Sequence, residues 1–139
     1  MSRARSAAAG AVAAAVWALQ EPLDTRVVRH DYSDVALLGK LFTRGAGWWP
    51  VGFALHVANG AVFGLVYDEA RRRIDVDRRR LALGMAIGEH LALFPLGAVV
   101  DRRHPARGEP GLAAAFGNRA FVLATWRHAL FGWVLGRLA

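Results

Sequence analysis

The stretch GAGWWPVGFALHVANGAVFGLVY, from Gly45 to Tyr67, contains no Asp, Glu, Lys or Arg. A helix needs about twenty predominantly apolar residues to cross the hydrocarbon core of a bilayer. This stretch is long enough to do so, and soluble helices seldom run that far without a charged face. It therefore predicts a membrane-spanning helix.

Three further stretches have a similar character. Between Leu81 and Val100 the only formal charge is Glu89, and between Ala120 and Gly136 the only one is Arg127. The weakest stretch is an alanine run near the start of the chain, because alanine contributes little transfer free energy. The sequence predicts an all-α transmembrane four-helix bundle, with spans at about residues 7–23, 45–67, 81–100 and 117–137.

The composition limits the size and chemistry of the protein. A chain of 139 residues, 55% apolar and 21% charged, has room for a single membrane domain over residues 1–139. It has no cysteine, which excludes disulfides, thiolate metal sites and cysteine nucleophiles. Two alternatives to a membrane bundle remain open: a soluble bundle with long buried helices, and a cleaved signal peptide in place of the first span.

The connection DEARRRIDVDRRR, from Asp68 to Arg80, joins the second span to the third. The positive-inside rule places this arginine-rich loop in the cytoplasm, and both chain termini with it. We therefore expect a protein of the bacterial cytoplasmic (inner) membrane. The loop lacks interleaved aromatic residues, so its expected partners are anionic lipid headgroups rather than nucleic acid. The arginines concerned are Arg71, Arg72, Arg73, Arg78, Arg79 and Arg80.

The other connections predict local features. SDVALLGKLF, which begins at Ser33, predicts a short helix that is capped by this serine and lies on the membrane surface in the first outer loop. Pro95 is expected to kink the third span. In QEPLD, we expect Glu21 and Asp24 at a solvated helix end, and His104 is expected in an exposed loop.

Two segments share the pattern H-x3-G-x3-G. HVANGAVFG begins at His56 and HALFGWVLG begins at His128. Residues four apart lie on one helix face, and small residues there let two backbones approach closely. The pattern predicts two helical hairpins related by a pseudo-twofold axis, and a homo-oligomer that associates through glycine faces. The packing glycines are predicted to be Gly60, Gly64, Gly84, Gly88, Gly132 and Gly136.

Polar residues lie near the middle of three predicted spans. A charge at that depth is costly unless it points into the bundle and is paired, and Glu89 with Arg127 is the expected pair. Such a pair favours a structural role, as an ionic latch that fixes the helix register. The predicted central polar layer consists of His56, Asn59, Glu89, His90, Arg127 and His128.

Three functional alternatives compete with the latch. His56 and His128 could be the axial ligands of a b-type haem, since two imidazoles at one depth on facing helices suit that cofactor. Glu89, His90 and His128 could relay protons or ions. Glu89 and a histidine could act as general acid and base on a lipid-like substrate. No nucleophile or phosphate-loop motif accompanies them, so we assign no catalytic residue and no metal site.

The segment GFALHVANGAVFGLVYDEA, together with EPLD at the end of the first span, resembles the small four-helix integral membrane proteins of unknown function found in GC-rich bacterial genomes. The resemblance covers most of the chain. It implies a fold and a membrane location, but it implies no activity and no catalytic residues.

Overall fold

The computed structural model describes residues 2–139, and this part of the chain is all-helical, as expected. One isolated bridge joins Tyr32 to Leu112, and the described residues contain no β-strand. The helices are α1 (Arg3–Val28), α2 (Asp34–Phe42), α3 (Trp48–Arg73), α4 (Arg78–Leu93), α5 (Gly97–Arg103) and α6 (Asn118–Leu138).

Local sequence signals set several helix ends. The Ser33 hydroxyl accepts a hydrogen bond from the Ala36 N–H at 3.0 Å, which confirms the predicted cap of α2. The Asp77 carboxylate caps α4 by accepting from two backbone N–H groups at 3.1 Å. Pro95 lies in a 3₁₀ turn, Phe94–Leu96, that separates α4 from α5, so the α-helix is interrupted where the kink was predicted.

The four long helical segments run alternately up and down. Helix α1 packs against both α3 and α6, and α4 packs against α6, whereas α3 and α4 touch only sparsely. The short helix α2 packs on α3. We call the end that holds α2 and residues 104–117 the cap end, and the end that holds residues 74–77 the arginine end. The bundle is thus closed on three sides and open between α3 and α4.

Glycines allow the closest helix approaches. A Cβ added to Gly10 would lie 2.1 Å from the backbone oxygen of Gly60, and one added to Gly64 would lie 2.1 Å from that of Ser6. On α6, a Cβ added to Gly132 or Gly136 would come within 3.0 Å of the α4 backbone. These four contacts hold α1 against α3 and α4 against α6.

Gly84 and Gly88 make no packing contact within residues 2–139, unlike the other four predicted glycines. A Cβ added to either would meet no atom within 4 Å, because both glycines face outward from α4. Their spacing matches that of the packing glycines, but α4 turns a different face to α6, which contains Ala82 and Ala86. Four-residue spacing shows that two glycines share a face, and it does not show which face is buried.

The two H-x3-G-x3-G helices pack in equivalent ways. Each lays its glycines on the long helix that precedes it: Gly60 meets Ala14 of α1, and Gly132 meets Ala86 of α4. The same number of residues separates Gly60 from Gly132 and Ala14 from Ala86. The chain therefore contains two antiparallel units, α1 with α3 and α4 with α6, whose contacts occur at matching positions.

Two helical segments are long and apolar enough to cross a membrane: Trp48–Arg73 and the kinked run Arg78–Arg103. Within their most apolar stretches only 22% and 11% of the residues, respectively, are buried. Large apolar side chains cover the outside of the bundle, whereas Arg127, Asp68 and Ser6 are fully buried. The interior therefore contains charged side chains, although many large apolar side chains are exposed.

The glycine contacts predict a sharp difference between two conservative substitutions. Gly10→Ala should lower the free energy of unfolding by about 1–3 kcal/mol, because its methyl group would overlap the α3 backbone. Gly88→Ala should be neutral or stabilising, since it gains helix propensity in open space. Denaturant titration in detergent would measure both. Equal losses in the two variants would contradict the packing described here.

Candidate functional site

Arg127 of α6 is fully buried in a cluster of acidic side chains near the cap end. Its Nε and Nη2 donate to the two carboxylate oxygens of Asp24 at 2.8 and 2.7 Å, a bidentate pair. Its Nη1 donates to Asp34 Oδ2 at 2.8 Å and to Glu21 Oε1 at 3.4 Å. Nη2 also donates to the Tyr32 carbonyl at 2.9 Å. One guanidinium therefore joins α6 to α1, to α2 and to the connection between those two helices.

The carboxyl groups of this ionic cluster have further donors. Glu21 accepts from the Ser33 hydroxyl at 2.5 Å and from the Asp34 backbone N–H at 2.9 Å. Asp34 accepts from the Trp17 indole N–H at 3.2 Å and from the Tyr32 hydroxyl at 3.3 Å. These bonds supply the hydrogen-bond partners that buried carboxyl groups require.

This arrangement corrects two expectations. The pair between Glu89 and Arg127 is not formed in the described part of the chain, because Arg127 points toward the cap end and its donors bind Glu21, Asp24 and Asp34. Glu21 and Asp24 were expected at a solvated helix end, but both are buried. The reason is that α1 continues to Val28, so these two residues lie inside the last turns of a helix that packs on α6.

The environment of the ionic cluster shifts the pKa values of Asp34 and Tyr32. Burial would raise the pKa of Asp34, but the charge of the neighbouring Arg127 guanidinium lowers it below its usual range. Burial and the neighbouring Asp34 carboxylate raise the pKa of Tyr32 well above its usual value. Asp34 is therefore the anion and Tyr32 the neutral donor in the hydrogen bond that joins them.

A second group of polar residues surrounds the indole of Trp17. The rings of His56 and His128 contact it edge-on, with centroid distances of 5.1 and 4.7 Å. The ring of His90 lies 5.0 Å from that of His128. Glu89 Oε2 lies 3.9 Å from His128 Nε2. Helices α1, α3, α4 and α6 thus each contribute to one layer of side chains.

The three imidazoles of this layer differ in their partners. His90 Nε2 lies 2.9 Å from the Thr125 hydroxyl, and His128 Nδ1 lies 2.7 Å from the Ala124 carbonyl. The carbonyl can only accept, so the proton of a neutral His128 is on Nδ1, and Nε2 is left facing Glu89. His56 Nε2 is buried and has no hydrogen-bond partner within residues 2–139.

This layer borders a cleft between α3 and α4. A cavity of about 360 Å³ lies behind the opening, and a second cavity of about 340 Å³ adjoins it. Asn59, Phe63 and Glu89 border both cavities. Asn59 is exposed and Glu89 is about one-third exposed, so both lie at the mouth. The structure therefore brings His56, Asn59, Glu89, His90 and His128 to one cleft and separates them from the Arg127 guanidinium.

The expected haem ligands share an aromatic neighbour. His56 and His128 both contact Trp17, and their rings do not contact each other among residues 2–139. Within the same residues no group of three His, Asp or Glu side chains is arranged to hold a metal ion. Haem ligation by these two histidines stays a prediction, and it would require the indole to share the space between them.

The prediction that His104 lies in an exposed loop was wrong. Its side chain is 7% exposed, Nε2 lies 2.9 Å from the Leu37 carbonyl, and Nδ1 accepts from the Ala106 N–H at 3.1 Å. The connection that carries His104 folds back onto α2, where Lys40 also donates to the Pro110 carbonyl at 2.8 Å. His104 therefore ties the cap end together.

The sequence interpretation missed the contribution of Trp17, Tyr32 and Asp34. The sequence does contain a signal for Trp17. Trp17, Glu21 and Asp24 are separated by four and three residues, and this spacing places them on one helix face. Two acids beside a tryptophan on one face indicate a buried polar stripe. No comparable signal points to Tyr32 or Asp34, which reach the cluster through the fold of a connection.

The chain matches no protein-family profile, and no curated protein or solved structure shows significant similarity to it.

The ionic cluster predicts that substitutions at two charged positions lower the stability by very different amounts. Arg127→Leu should lower the free energy of unfolding by about 3–5 kcal/mol, because it leaves two buried carboxyl groups and the partly buried Asp34 without their cation. Glu89→Ala should lower it by less than about 1 kcal/mol, because Glu89 makes no bond to Arg127. Denaturant titration in detergent would compare the two, and a larger loss for Glu89→Ala would restore the pairing first expected.

Proposed function

We propose that the protein is a polytopic integral membrane protein in which α1, α3, the kinked α4 and α5 segment, and α6 all cross the bilayer. Its role is structural or in binding, as a scaffold that keeps a polar layer and a cleft inside the membrane. The distribution of polarity carries this proposal: many large apolar side chains are exposed along the helices, whereas the charged Glu21, Asp24 and Arg127 lie in the interior.

The exposure of the two most apolar helical segments favours lipid over water. A core helix of a soluble protein is mostly buried, whereas these two segments are mostly exposed. On α3 and α4 the exposed side chains include Val62, Val66, Leu91 and Leu93. Exposed apolar patches this extensive are rare in soluble monomers and are normal against lipid.

Helices α1 and α6 are less apolar because they carry the buried polar residues. Glu21 and Asp24 on α1 and Arg127 on α6 lower the mean hydropathy of those helices without facing lipid. Each of the two helices packs against two other long helical segments, whereas α3 and α4 have one long neighbour each. A central helix of a membrane bundle needs fewer apolar residues than a peripheral one, since less of it contacts lipid.

The arginine end supports the proposed orientation in the bacterial cytoplasmic membrane. Arg3 pairs with Glu69 at 3.7 Å, and the Arg78 side chain donates to the Ala139 carbonyl at 3.5 Å. The first and last described residues therefore lie beside the arginine-rich connection, and the positive-inside rule assigns all three to the cytoplasm. Anionic lipid headgroups are the proposed partners of this end.

Of the six predicted packing glycines, Gly84 and Gly88 face outward, so the proposed homo-oligomer would associate through this face of α4. Gly60, Gly64, Gly132 and Gly136 are occupied by contacts within the chain. Self-association through these faces would require the helices to separate. The resemblance to small bacterial four-helix membrane proteins accords with the proposed fold and location.

A second candidate function, proton movement, is favoured by one observation. Glu89, His128 and His90 form a chain. Glu89 Oε2 lies 3.9 Å from His128 Nε2, and the ring centroids of His128 and His90 are 5.0 Å apart. Glu89 stands at the mouth of the cleft and Thr125 continues the chain from His90. Intramembrane ionisable residues in such a chain commonly form proton relays.

The membrane assignment predicts two independent results. The protein should stay in the membrane pellet after alkaline carbonate extraction, because apolar contact with lipid holds it there. A reporter fused after Ala139 should report a cytoplasmic location, as should one inserted between Ile74 and Asp77. Release by carbonate would contradict the proposal, and a periplasmic signal at either site would contradict the orientation.

Proton movement predicts a flux that depends on one carboxyl group. Liposomes that contain the protein should show a proton leak above that of empty liposomes, and Glu89→Gln should abolish the excess, because the amide cannot accept a proton. Asn59→Asp, at the same mouth of the cleft, should leave the excess proton leak unchanged. An equal leak with and without the protein would exclude this candidate.

A further inference from the structure

We propose that the cavity behind the cleft between α3 and α4 binds a lipophilic organic cation, that is, a quaternary or tertiary ammonium group with an apolar substituent. Glu89 is the counter-ion. The ammonium group lies beside the Glu89 carboxylate, and the apolar substituent lies among the aromatic side chains of the inner cavity. This inference rests on the proposed membrane location, because such a molecule concentrates in the bilayer and enters the cleft from there.

Glu89 provides an accessible carboxyl group where the two cavities adjoin. Its side chain is 35% exposed, and it borders both the inner cavity and the outer one. The one ion-pair partner that residues 2–139 supply to it is the His128 imidazole, with Nε2 at 3.9 Å from Oε2. That distance is too long for a hydrogen bond. The carboxylate therefore keeps its capacity to pair with a cation that enters the cleft.

The walls of the cavities carry negative charge and no fixed positive charge. Asp34 and Glu89 border the inner cavity, whereas no Arg or Lys among residues 2–139 borders either cavity. Behind Asp34, the ionic cluster sets the guanidinium of Arg127 against three carboxyl groups, so its formal charge is negative as well. The imidazoles of the polar layer do not oppose a cation in their neutral form. The cavity therefore attracts a cation and repels an anion.

Aromatic side chains form much of the wall of the inner cavity. Trp17, Phe63, Phe94 and Phe131 all border it. Aromatic rings attract cations, and cages of such rings are a common way to recognise quaternary ammonium groups. A primary ammonium group is strongly hydrated, so it loses more on leaving water than an alkylated one does. A carboxylate beside several aromatic rings thus favours an alkylated ammonium group over a small hydrated cation.

The dimensions of the cleft suit a small amphipathic molecule. A volume of about 360 Å³ is at the lower end of the range for small-molecule pockets, so the inner cavity accommodates one ring with its ammonium group. The outer cavity is bordered by Val62, Val66 and Met85, which are apolar. A longer apolar substituent would follow this path between α3 and α4 toward the lipid.

The test measures the binding of radiolabelled benzyltrimethylammonium to the purified full chain in a neutral detergent. Equilibrium dialysis gives the bound amount, with protein-free micelles as the blank. The unmodified protein should bind the probe with saturation. Glu89→Gln should weaken the binding by about tenfold or more, because the amide keeps the shape of the side chain and removes its charge. Glu89→Asp should retain binding, because it keeps the carboxylate.

Glu109→Gln is the matched control. It makes the same substitution at a carboxyl group of similar exposure, 36%, which pairs with Lys40 and borders neither cavity. Its binding should equal that of the unmodified protein. Phe63→Leu provides a second test of the site, because it removes a ring and leaves every charge in place. It should weaken the binding by about threefold, as expected for one lost cation–π contact.

The outcomes separate this inference from the membrane proposal. Equal binding by the unmodified protein and Glu89→Gln, or uptake without saturation, would overturn the inference. Displacement of the probe by benzyl alcohol at equal concentration would overturn the requirement for charge, and displacement by tetramethylammonium would overturn the requirement for an apolar substituent. Failure of binding in a protein that resists carbonate extraction would count against the ligand alone. Saturable binding that depends on Glu89, in a protein that carbonate releases, would support the site and count against the membrane location.

Discussion

The contacts of the Arg127 guanidinium determine how the helices of this protein can be arranged. A buried cation is tolerated only where anions and hydrogen-bond acceptors surround it, and here α1, α2 and the connection between them supply both. These bonds join the two antiparallel units along α1 and α6 and leave α3 and α4 without a comparable link. The cleft accords with where the charges lie, because the ion pairs that join the two units are all between α6 and the α1–α2 region.

The two units match in packing and differ in charge. Gly60 and Gly132 meet alanines at corresponding positions, so the same close approach holds each pair of helices together. The acids of the ionic cluster all come from the first unit and its α2 extension, and the arginine comes from the second. The two similarly packed helix pairs thus have contacts between them that neither pair could make with a copy of itself.

The sequence was sufficient to locate the helices but not to assign their partners. Uncharged runs, the Ser33 cap and Pro95 are local signals, so they gave the positions of α2, the kink and the long helices. The partner of Arg127 depends on how far α1 continues and how the next connection folds. Neither is a local property, and the nearest acid in a mid-span position, Glu89, was the wrong choice.

The glycines and histidines illustrate the same limit. Gly84 and Gly88 have the spacing of a packing pair, yet they face outward, because the burial of a helix face depends on its neighbours. The three histidines of the polar layer were recognisable as polar residues within apolar runs. Their division into two bonded imidazoles and one without a partner follows from the positions of Thr125 and Ala124, which no sequence pattern predicts.

The order of residues along the chain gives the ionic cluster a consequence for biosynthesis. Asp24 precedes Arg127 by 103 residues, so in the proposed membrane location all three acids enter the bilayer long before their cation. Until α6 arrives, the first unit holds carboxyl groups that have no opposite charge, and its insertion is provisional. Completion of the last helix locks the first one in place. A nascent chain that ends before Arg127 would thus leave these three carboxyl groups without the guanidinium that binds them.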